Sequence, residues 1–252
     1  MINLRGQVAI ITGGSRGIGA ATAVLFAKAG ADVVITFTKN KKAANEILEK
    51  IRNEGRNCLA IKIDASKSNS GKKVVKETLK KFGRVDILVN NVGIWTYGKI
   101  GEMNEKVWKE TMEVNLNSMF YMTNAVVPFM KKQKNGKIIN ISSTAGQRGE
   151  AEHSHYAASK GGMISFTKAI ATELGPYNIN VNSVAPGWVD TDLNTEVFAD
   201  IQYKEQERKK IPLQRIPTPD DIGGPILFLA SDLARHITGE ILNVNGGSVL
   251  VG

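Results

Sequence analysis

The sequence predicts an α/β fold, a single doubly wound parallel sheet with helices on both faces. Three observations carry that expectation. Short β-branched runs alternate without a break with longer segments of helical spacing, the first such pair is joined by a glycine-rich turn, and the strand-like runs are apolar along their length. Continuous apolar strands belong in a sheet covered on both faces, and the crossover helices of a parallel sheet supply that cover.

Residues 7–12 (QVAIIT) read as an interior strand, followed by Gly13-Gly14-Ser15-Arg16-Gly17-Ile18-Gly19. A helix over 20–30 comes next, with Ala21, Val24, Leu25 and Lys28 at helical spacing and Gly30 as its stop. Strand, glycine turn and helix make a phosphate-binding unit. The glycines let the backbone approach a pyrophosphate, and the helix N-terminus aims free N–H groups and the positive end of its dipole at it. The alternation continues with strand 32–37 (DVVITF), helix 41–54, strand 58–63, helix 69–82 and the run from Val85 to Gly93. Helix 104–130, strand 137–142, helix 156–174, strand 179–185 and strand 241–244 complete it. The stretch 187–218 is long, charged and irregular, and is expected to form a substrate lid over the carboxyl edge of the sheet. Neither a linker nor a repeat interrupts the chain, so one dinucleotide-binding domain is expected over 1–252.

A chain of 252 residues with 42% hydrophobic content can bury a sizeable core. The net charge of +9 raises nucleic acid as a partner, but the lysines and arginines are dispersed over predicted polar helix faces and no nucleic-acid motif accompanies them. Solvated faces that steer an anionic substrate or cofactor are the expectation. A lone cysteine, Cys58, excludes an intramolecular disulfide. No apolar run approaches the roughly 20 residues of a membrane span, and Met1-Ile-Asn-Leu-Arg-Gly leads into the first strand without a charged and apolar leader. A soluble cytoplasmic protein is expected, with no membrane partner.

The chemistry concentrates in 143–160, where Ser143 is followed by Tyr156 and then Lys160. Tyr156 and Lys160 stand at i and i+4 on a helical run, which places an ammonium beside a phenol. A phenol titrates near roughly 10, and a neighbouring cation is expected to lower that value and fit the group for proton transfer. The nearby His153 and His155, beside Glu150 and Glu152, could suggest a metal, yet the phenol already supplies a proton and no metal is expected.

The end of strand 32–37 bears on cofactor choice. An acidic residue there would hold the ribose 2′-hydroxyl of NAD, whereas this sequence has Phe37, then Thr38 and Lys39. Arg16 in the glycine turn could reach a 2′-phosphate, so NADP(H) is expected over NAD(H). The other reading leaves Arg16 and Lys39 facing water.

These motifs together resemble the short-chain dehydrogenase/reductase family, whose fold is Rossmann-like. The likeness rests on T-G-G-S-R-G-I-G at 12–19, N-N-V-G at 90–93, Asn115 in V-N-L, Ser143, Y-A-A-S-K at 156–160, P-G-W-V-D-T at 186–191 and N-G-G at 245–247. Val92 and Asn245 are departures, where Ala and Asp are usual. The resemblance implies that Tyr156 exchanges a proton with the substrate oxygen, that Ser143 hydrogen-bonds the same oxygen, and that Lys160 holds the nicotinamide ribose. It implies that Asn115 positions a water linking Lys160 to solvent. The bland alternatives have Ser143 and Ser142 capping the strand end and Asn115 satisfying buried backbone groups. The cofactor would be met by Gly13, Ser15, Arg16, Gly17, Ile18, Gly19, Thr38, Asp64, Ala65, Asn91, Gly93, Pro186, Gly187, Val189 and Thr191, besides Tyr156 and Lys160.

Trp95, Gln147, Glu150, His153, Trp188 and the segment 192–215 are expected to line the substrate. The wording of the chain is most similar to the β-ketoacyl-acyl-carrier-protein reductase branch, notably I-I-N-I-S-S and I-N-V-N-S-V-A-P-G. That branch reduces 3-oxoacyl thioesters, so a thioester substrate and an acidic acyl carrier protein as partner are implied. Lys131, Lys132, Lys134 and Lys137 would form part of a docking surface near the cleft. Tyr177, where carrier-dependent members commonly have a basic residue, and the polar run 150–155 leave room for another small alcohol, sugar or ketone. A cofactor-binding protein without turnover is the rival from another class, disfavoured by the intact Ser143, Tyr156, Lys160 and Asn115. Family members of this size imply a homotetramer paired through helices 104–130 and 156–174 and the C-terminal strand, with Val249, Leu250 and Val251 buried in the contact.

Overall fold

The computed structural model describes residues 2–250. Seven strands form one parallel sheet: β1 (Val8–Ile11), β2 (Asp32–Phe37), β3 (Cys58–Lys62), β4 (Ile87–Asn90), β5 (Gly136–Ile141), β6 (Ile179–Pro186) and β7 (Ile241–Val244). Their order is β3-β2-β1-β4-β5-β6-β7. The chain winds outward from β1 to β3 and then returns to the other side of β1 with β4, so the winding reverses between β1 and β4. Ala9 pairs with Val33 on one side and Ile87 on the other, and Leu88 pairs with Ile138.

Strand periodicity sorts the core into two layers. Ala9, Ile11, Val33, Ile35, Ile87 and Val89 face Phe26 of α1 (Gly17–Lys28) and Ile222 and Ile226 of α10 (Pro219–Ala230). The alternate residues Val8, Ile10, Val34, Leu88 and Ile138 face the other layer. There they meet Val74 and Val75 of α3 (Ser70–Phe82), Met122, Val126 and Met130 of α5 (Ser118–Gln133), and Ala171 and Leu174 of α7 (Ser154–Leu174). The helix α2 (Lys41–Asn53) adds Ala44, Ile47, Leu48 and Ile51 to the first layer.

The long helix expected over 104–130 is interrupted. It runs as α4 (Glu105–Thr111), a π-helical turn (Met112–Asn117) and then α5. The stretch 187–218 contains α8 (Thr195–Phe198) and α9 (Ile201–Lys210), and its end is tied back where Leu213 N donates to Gly246 O at 3.1 Å. The sequence pattern also missed α6 (Thr144–Arg148) and α10. Val249 is buried and Leu250 is exposed, while Val251 lies outside the described residues. Among the described residues no helix is long and apolar enough to cross a membrane.

Candidate active site

The reversal of winding opens a crevice between the carboxyl ends of β1 and β4, the place where open parallel sheets take ligands. Thr12 joins the two loops that leave it. Its Oγ1 accepts the Asn91 and Val92 N–H groups at 2.9 and 3.2 Å, and Asn91 Nδ2 donates to Thr12 O at 2.9 Å. Gly13 and Gly17 adopt φ of 65° and 53°, which a side chain would resist. A Cβ on Gly19 would lie 2.5 Å from Gly13 O and 2.6 Å from Asn91 Nδ2, and one on Gly14 would lie 2.6 Å from Ile35.

Arg16 is the N-cap of α1 but its side chain makes no capping bond, so no side chain of the cap competes for the leading N–H groups. This close-packed turn with an uncapped helix start fits the pyrophosphate of a dinucleotide. Ser15 and Ile18 are half-buried beside it, and Thr191 approaches Gly17 from the far side, its Cγ2 3.5 Å from where a Gly17 Cβ would stand. The Arg16 guanidinium projects into solvent, 4.0 Å from Asp192 Oδ2, and Thr38 and Lys39 are exposed past the buried Phe37. Asp64 is exposed as well. Its Oδ1 accepts from Ser66 N at 3.0 Å and Ser66 Oγ at 2.7 Å, and these bonds hold the carboxyl below its usual range. Ala65 is buried next to it.

β5 and α7 bring the catalytic candidates together. Ser142 turns into the sheet, its Oγ donating to Val184 O at 3.1 Å, so that the adjacent Ser143 faces the other way. Ser143 Oγ accepts the Ala145 N–H at 3.1 Å and caps α6, and the same hydroxyl lies near enough to the Tyr156 phenol to draw its pKa down. The capping role foreseen as an alternative therefore coexists with the phenol contact. Lys160 is buried and donates from Nζ to Ile141 O at 2.7 Å.

The expected lowering of the Tyr156 pKa by Lys160 is not what the chain itself produces. The ammonium is aimed at the Ile141 carbonyl and stands 5.8 Å from the phenol ring centre. Tyr156 keeps part of its surface accessible, yet burial pushes its phenol up to about 12, against the opposing pull of the Ser143 bond and with a further push from the Glu150 carboxylate. Burial likewise pulls Lys160 down to about 8. Desolvation penalises the charged form of each group and dominates both shifts.

Asn115 sits in the π turn, fully buried. Its Oδ1 accepts from Ile94 N at 2.7 Å, and its Nδ2 donates to Ile94 O and to Ser159 Oγ, both at 3.0 Å. A Cβ on Gly93 would lie 3.4 Å from Lys160 Nζ and 3.5 Å from Asn115 Oδ1, so both atoms border one small space that the glycine keeps open.

The expected substrate walls form an aromatic and polar cluster. Trp95 lies flat on His153 at 4.2 Å, donates from Nε1 to Glu150 Oε1 at 3.3 Å, and meets Trp188 edge-on at 5.7 Å. Trp188 in turn donates to Glu207 Oε2 of α9 at 2.8 Å and packs on Phe198 and Tyr203. Gln147 is drawn toward β7, its Nε2 donating to Asn243 Oδ1 at 2.7 Å. Pro186 is buried and Gly187 is half-buried at the end of β6. Val189 differs from expectation: its side chain packs in the core and its carbonyl accepts from Asn194, so only its N–H remains for a ligand.

The proposed lysine patch is a clear correction. Lys131, Lys132, Lys134 and Lys137 cluster at the start of β5, the sheet edge opposite to Ser143. Lys137 is buried with Nζ on Asn180 Oδ1 at 2.5 Å, and Lys131 sits 4.6 Å over the Tyr177 ring. Among the described residues no group of three or more His, Cys, Asp or Glu side chains could hold a metal ion.

A family model described as "Enoyl-(Acyl carrier protein) reductase" matches residues 13–248. The chain belongs to the short-chain dehydrogenase/reductase family. A 3-oxoacyl-[acyl-carrier-protein] reductase of Synechocystis sp. is 39% identical to this dehydrogenase/reductase, covering 99% of this chain and 100% of that one. An L-rhamnose 1-dehydrogenase (NAD(P)(+)) of Azotobacter vinelandii is also 39% identical, over 96% of each. A solved structure described as a short-chain alcohol dehydrogenase from Sinorhizobium meliloti 1021 superposes with a TM-score of 0.93 at 33% identity, covering 98% of this chain and 97% of that one. The protein is an oxidoreductase acting on carbonyl and hydroxyl groups, in a family that binds a nicotinamide cofactor.

Sequence reasoning missed the roles of Thr12 and Asn243, and it placed Tyr203 and Glu207 only within the segment 192–215 without singling them out. Thr12 was within reach, since a hydroxyl at a strand's carboxyl end can tie neighbouring loops. Asn243 lies on β7, whose approach to the cleft only the sheet order decides.

Proposed function

We propose that the protein reduces a carbonyl to a hydroxyl with NADPH, acting chiefly on 3-oxoacyl thioesters. The observation that carries the reading is the approach of the Ser143 hydroxyl to the Tyr156 phenol, since a phenol keeps its proton at neutral pH and can pass it to a substrate oxygen that both groups reach. When bound, the dinucleotide supplies the hydride. Tyr156 gives its proton to the carbonyl oxygen. Ser143, whose oxygen already accepts the Ala145 N–H, turns its own O–H toward the same oxygen and stabilises the charge that develops there. Lys160 holds the nicotinamide ribose, with its amine aimed by Ile141 O, and Asn115 Oδ1 shares with it a water beside Gly93 that restores the proton.

The cofactor is held by the glycine turn and the start of α1, by Asp64 and Ala65 at the adenine, and by Asn91 and Gly93 at the ribose. Pro186, Gly187, Thr191 and the Val189 N–H face the nicotinamide. Phe37 in place of an acid, with exposed Arg16, Thr38 and Lys39, favours the 2′-phosphate of NADPH. An acidic acyl carrier would dock on the carboxyl edge, where Arg148 and Lys210 lie near Glu150 and the lid. The stretch 187–218 acts as the lid. The exposed Phe120 on α5 and the half-buried Phe166 on α7, 6.5 Å apart, support a homotetramer paired through these helices.

The similarity to an L-rhamnose 1-dehydrogenase favours a second reading, in which the substrate is a small hydroxylated compound. The deciding assay follows NADPH and NADH absorbance with a short 3-oxoacyl thioester, a diketone and a sugar panel. Thioester turnover that prefers NADPH supports the first reading, and its absence rejects it.

A further inference from the structure

Helix α9 has no apolar stripe to hold it to the sheet, since none of its residues is buried. Two of its side chains, one turn apart, reach instead to the strap that follows β6. Lys204 Nζ donates to Asp190 Oδ2 at 2.8 Å, and Glu207 Oε2 accepts from Trp188 Nε1 at 2.8 Å. The first pair is open to water, at 36% and 55% exposure, and contributes little. Glu207 is only 12% exposed, so its bond to the indole is the shielded one. Tyr203, one turn earlier on α9, meets the same indole edge-on at 6.2 Å. The strap beneath is fixed. Val189 is buried, its carbonyl accepts from Asn194 Nδ2 at 2.8 Å, and Asp190 N donates to Pro217 O at 2.9 Å. Glu207 therefore grips a ring that stands on a firm base.

What that ring does follows from the strand order. Trp95 leaves β4 and Trp188 leaves β6, and between them lies β5, whose chain runs on into Ser143. Strands on either side of a third stand about 10 Å apart. The two indoles nonetheless meet edge-on at 5.7 Å, so their contact crosses the carboxyl end of β5. The Trp95 end is set by the catalytic residues. It stands two positions past Gly93, where an added Cβ would lie 3.4 Å from Lys160 Nζ, and Ile94 between them is held by Asn115. An indole has a single N–H, and here each is bonded to a carboxylate, Trp95 to Glu150 and Trp188 to Glu207. Ring carbon is what remains to face a substrate, and the two carboxylates set where the rings stand.

We propose that Glu207 is a positioning residue for the carbonyl and hydroxyl reaction, which holds α9 closed through the Trp188 indole and so keeps the Trp95–Trp188 bridge across the Ser143 end of the cleft. This rests on the oxidoreductase reading and holds for either substrate class. The effect of Glu207 passes through the ring alone. The glycine turn that cradles the dinucleotide follows β1, on the far side of β4 from the bridge, so dinucleotide affinity does not depend on this bond.

The test uses the full chain as Glu207→Gln, Glu207→Leu, Trp188→Ala and the double variant of the last two, with Glu207→Ala as a second truncation, each checked by its melting transition. KM and kcat are measured with NADPH and a short 3-oxoacyl thioester and, in a separate arm, a diketone. Glu207→Leu should raise KM by about 10-fold with kcat within about threefold, and Glu207→Gln, which keeps an acceptor for the indole, should stay within about threefold of the parent. In the Trp188→Ala background Glu207→Leu should add less than about twofold, because the carboxylate has no ring left to hold. NADPH affinity by calorimetry should be unaltered in every Glu207 variant. Acrylamide quenching of indole emission reads the same bond without turnover. With the exposed Trp108 replaced by Phe, Glu207→Leu should raise the quenching constant by about twofold or more and Glu207→Gln should not. An unaltered KM in both truncations, equal losses in the Gln and Leu variants, full additivity in the double variant, or unaltered quenching would each overturn this role for Glu207. Turnover of neither probe would remove the substrate reading instead, and the quenching comparison would then decide the role of Glu207 by itself.

Discussion

Asn115 grips Ile94 by both of its backbone groups, accepting its N–H at 2.7 Å and donating to its carbonyl at 3.0 Å. The pairing fixes the loop after β4 against α7, because Asn115 also reaches Ser159, whose Oγ donates to Tyr156 O at 2.7 Å. Asn115→Leu would strand two backbone groups in a dry interior. A loss of about 2–4 kcal/mol in urea unfolding is expected, with turnover falling alongside. An unaltered unfolding midpoint would contradict it.

Tyr156→Phe should lower the reductase kcat by about 100-fold or more while dinucleotide binding stays within about threefold. Retained kcat would exclude the phenol as the acid.

Lys160 gives a pH signature. Its folded value near 8 lies below the ordinary 10.5, so between these values the unfolded chain holds a proton that the folded chain has shed. Stability contributed by this group then rises with pH across that window. The raised phenol of Tyr156 acts in the opposite sense, but between the ordinary 10.0 and about 12. Urea unfolding of the cofactor-free chain from pH 8 to 10 should show the parent gaining on Lys160→Met. A constant gap between the two would reject the depressed amine.

Gly19→Ala tests the fit of the glycine turn. Its methyl would stand 2.5 Å from Gly13 O and 2.6 Å from Asn91 Nδ2, with no flexible side-chain end to yield at the carbonyl. Destabilisation of about 1–3 kcal/mol is expected, with loss of dinucleotide binding by calorimetry. Binding at the parent affinity would show that this turn is not the cradle.

For cofactor choice, Arg16→Ala should weaken NADPH by about 10-fold and NADH by less than about threefold. Equal losses would assign Arg16 to something other than a 2′-phosphate.

Phe120→Glu combined with Phe166→Glu places charge on the aromatic face shared by α5 and α7. Light scattering should show the parent as a tetramer and the variant as a smaller species. A monomeric parent would remove the assembly proposal.

The sheet was legible because each interior strand is a compact β-branched run, and DVVITF and ILNV fall where their patterns put them. Helix α10 was not, since Pro219, Gly223, Gly224 and Pro225 break its apolar pattern. Its start is nonetheless marked by a Thr218 and Asp221 capping box with proline at the first turn. Helix α9 buries no residue and so carries no apolar stripe to read. In the site, the spacing of Ser143, Tyr156 and Lys160 was enough to bring them together. The direction of the Tyr156 shift was not, because desolvation depends on neighbours that the spacing of two residues does not reveal. Lys137 misled for the same reason: a lysine in a basic run turned out to be buried beside Asn180.

The π turn at Met112–Asn117 carries a constraint on how this chain can vary. Each residue of an ordinary helix advances about 100° around its axis. Shortening the turn by one residue would therefore swing α5 through roughly a quarter of a revolution, turning Met122 and Val126 away from the interior places they fill. Changes in length are consequently tolerable in the loops that flank this helix and forbidden within it, so that a gain or loss of one residue there would dismantle the fold and the catalytic pocket in the same event.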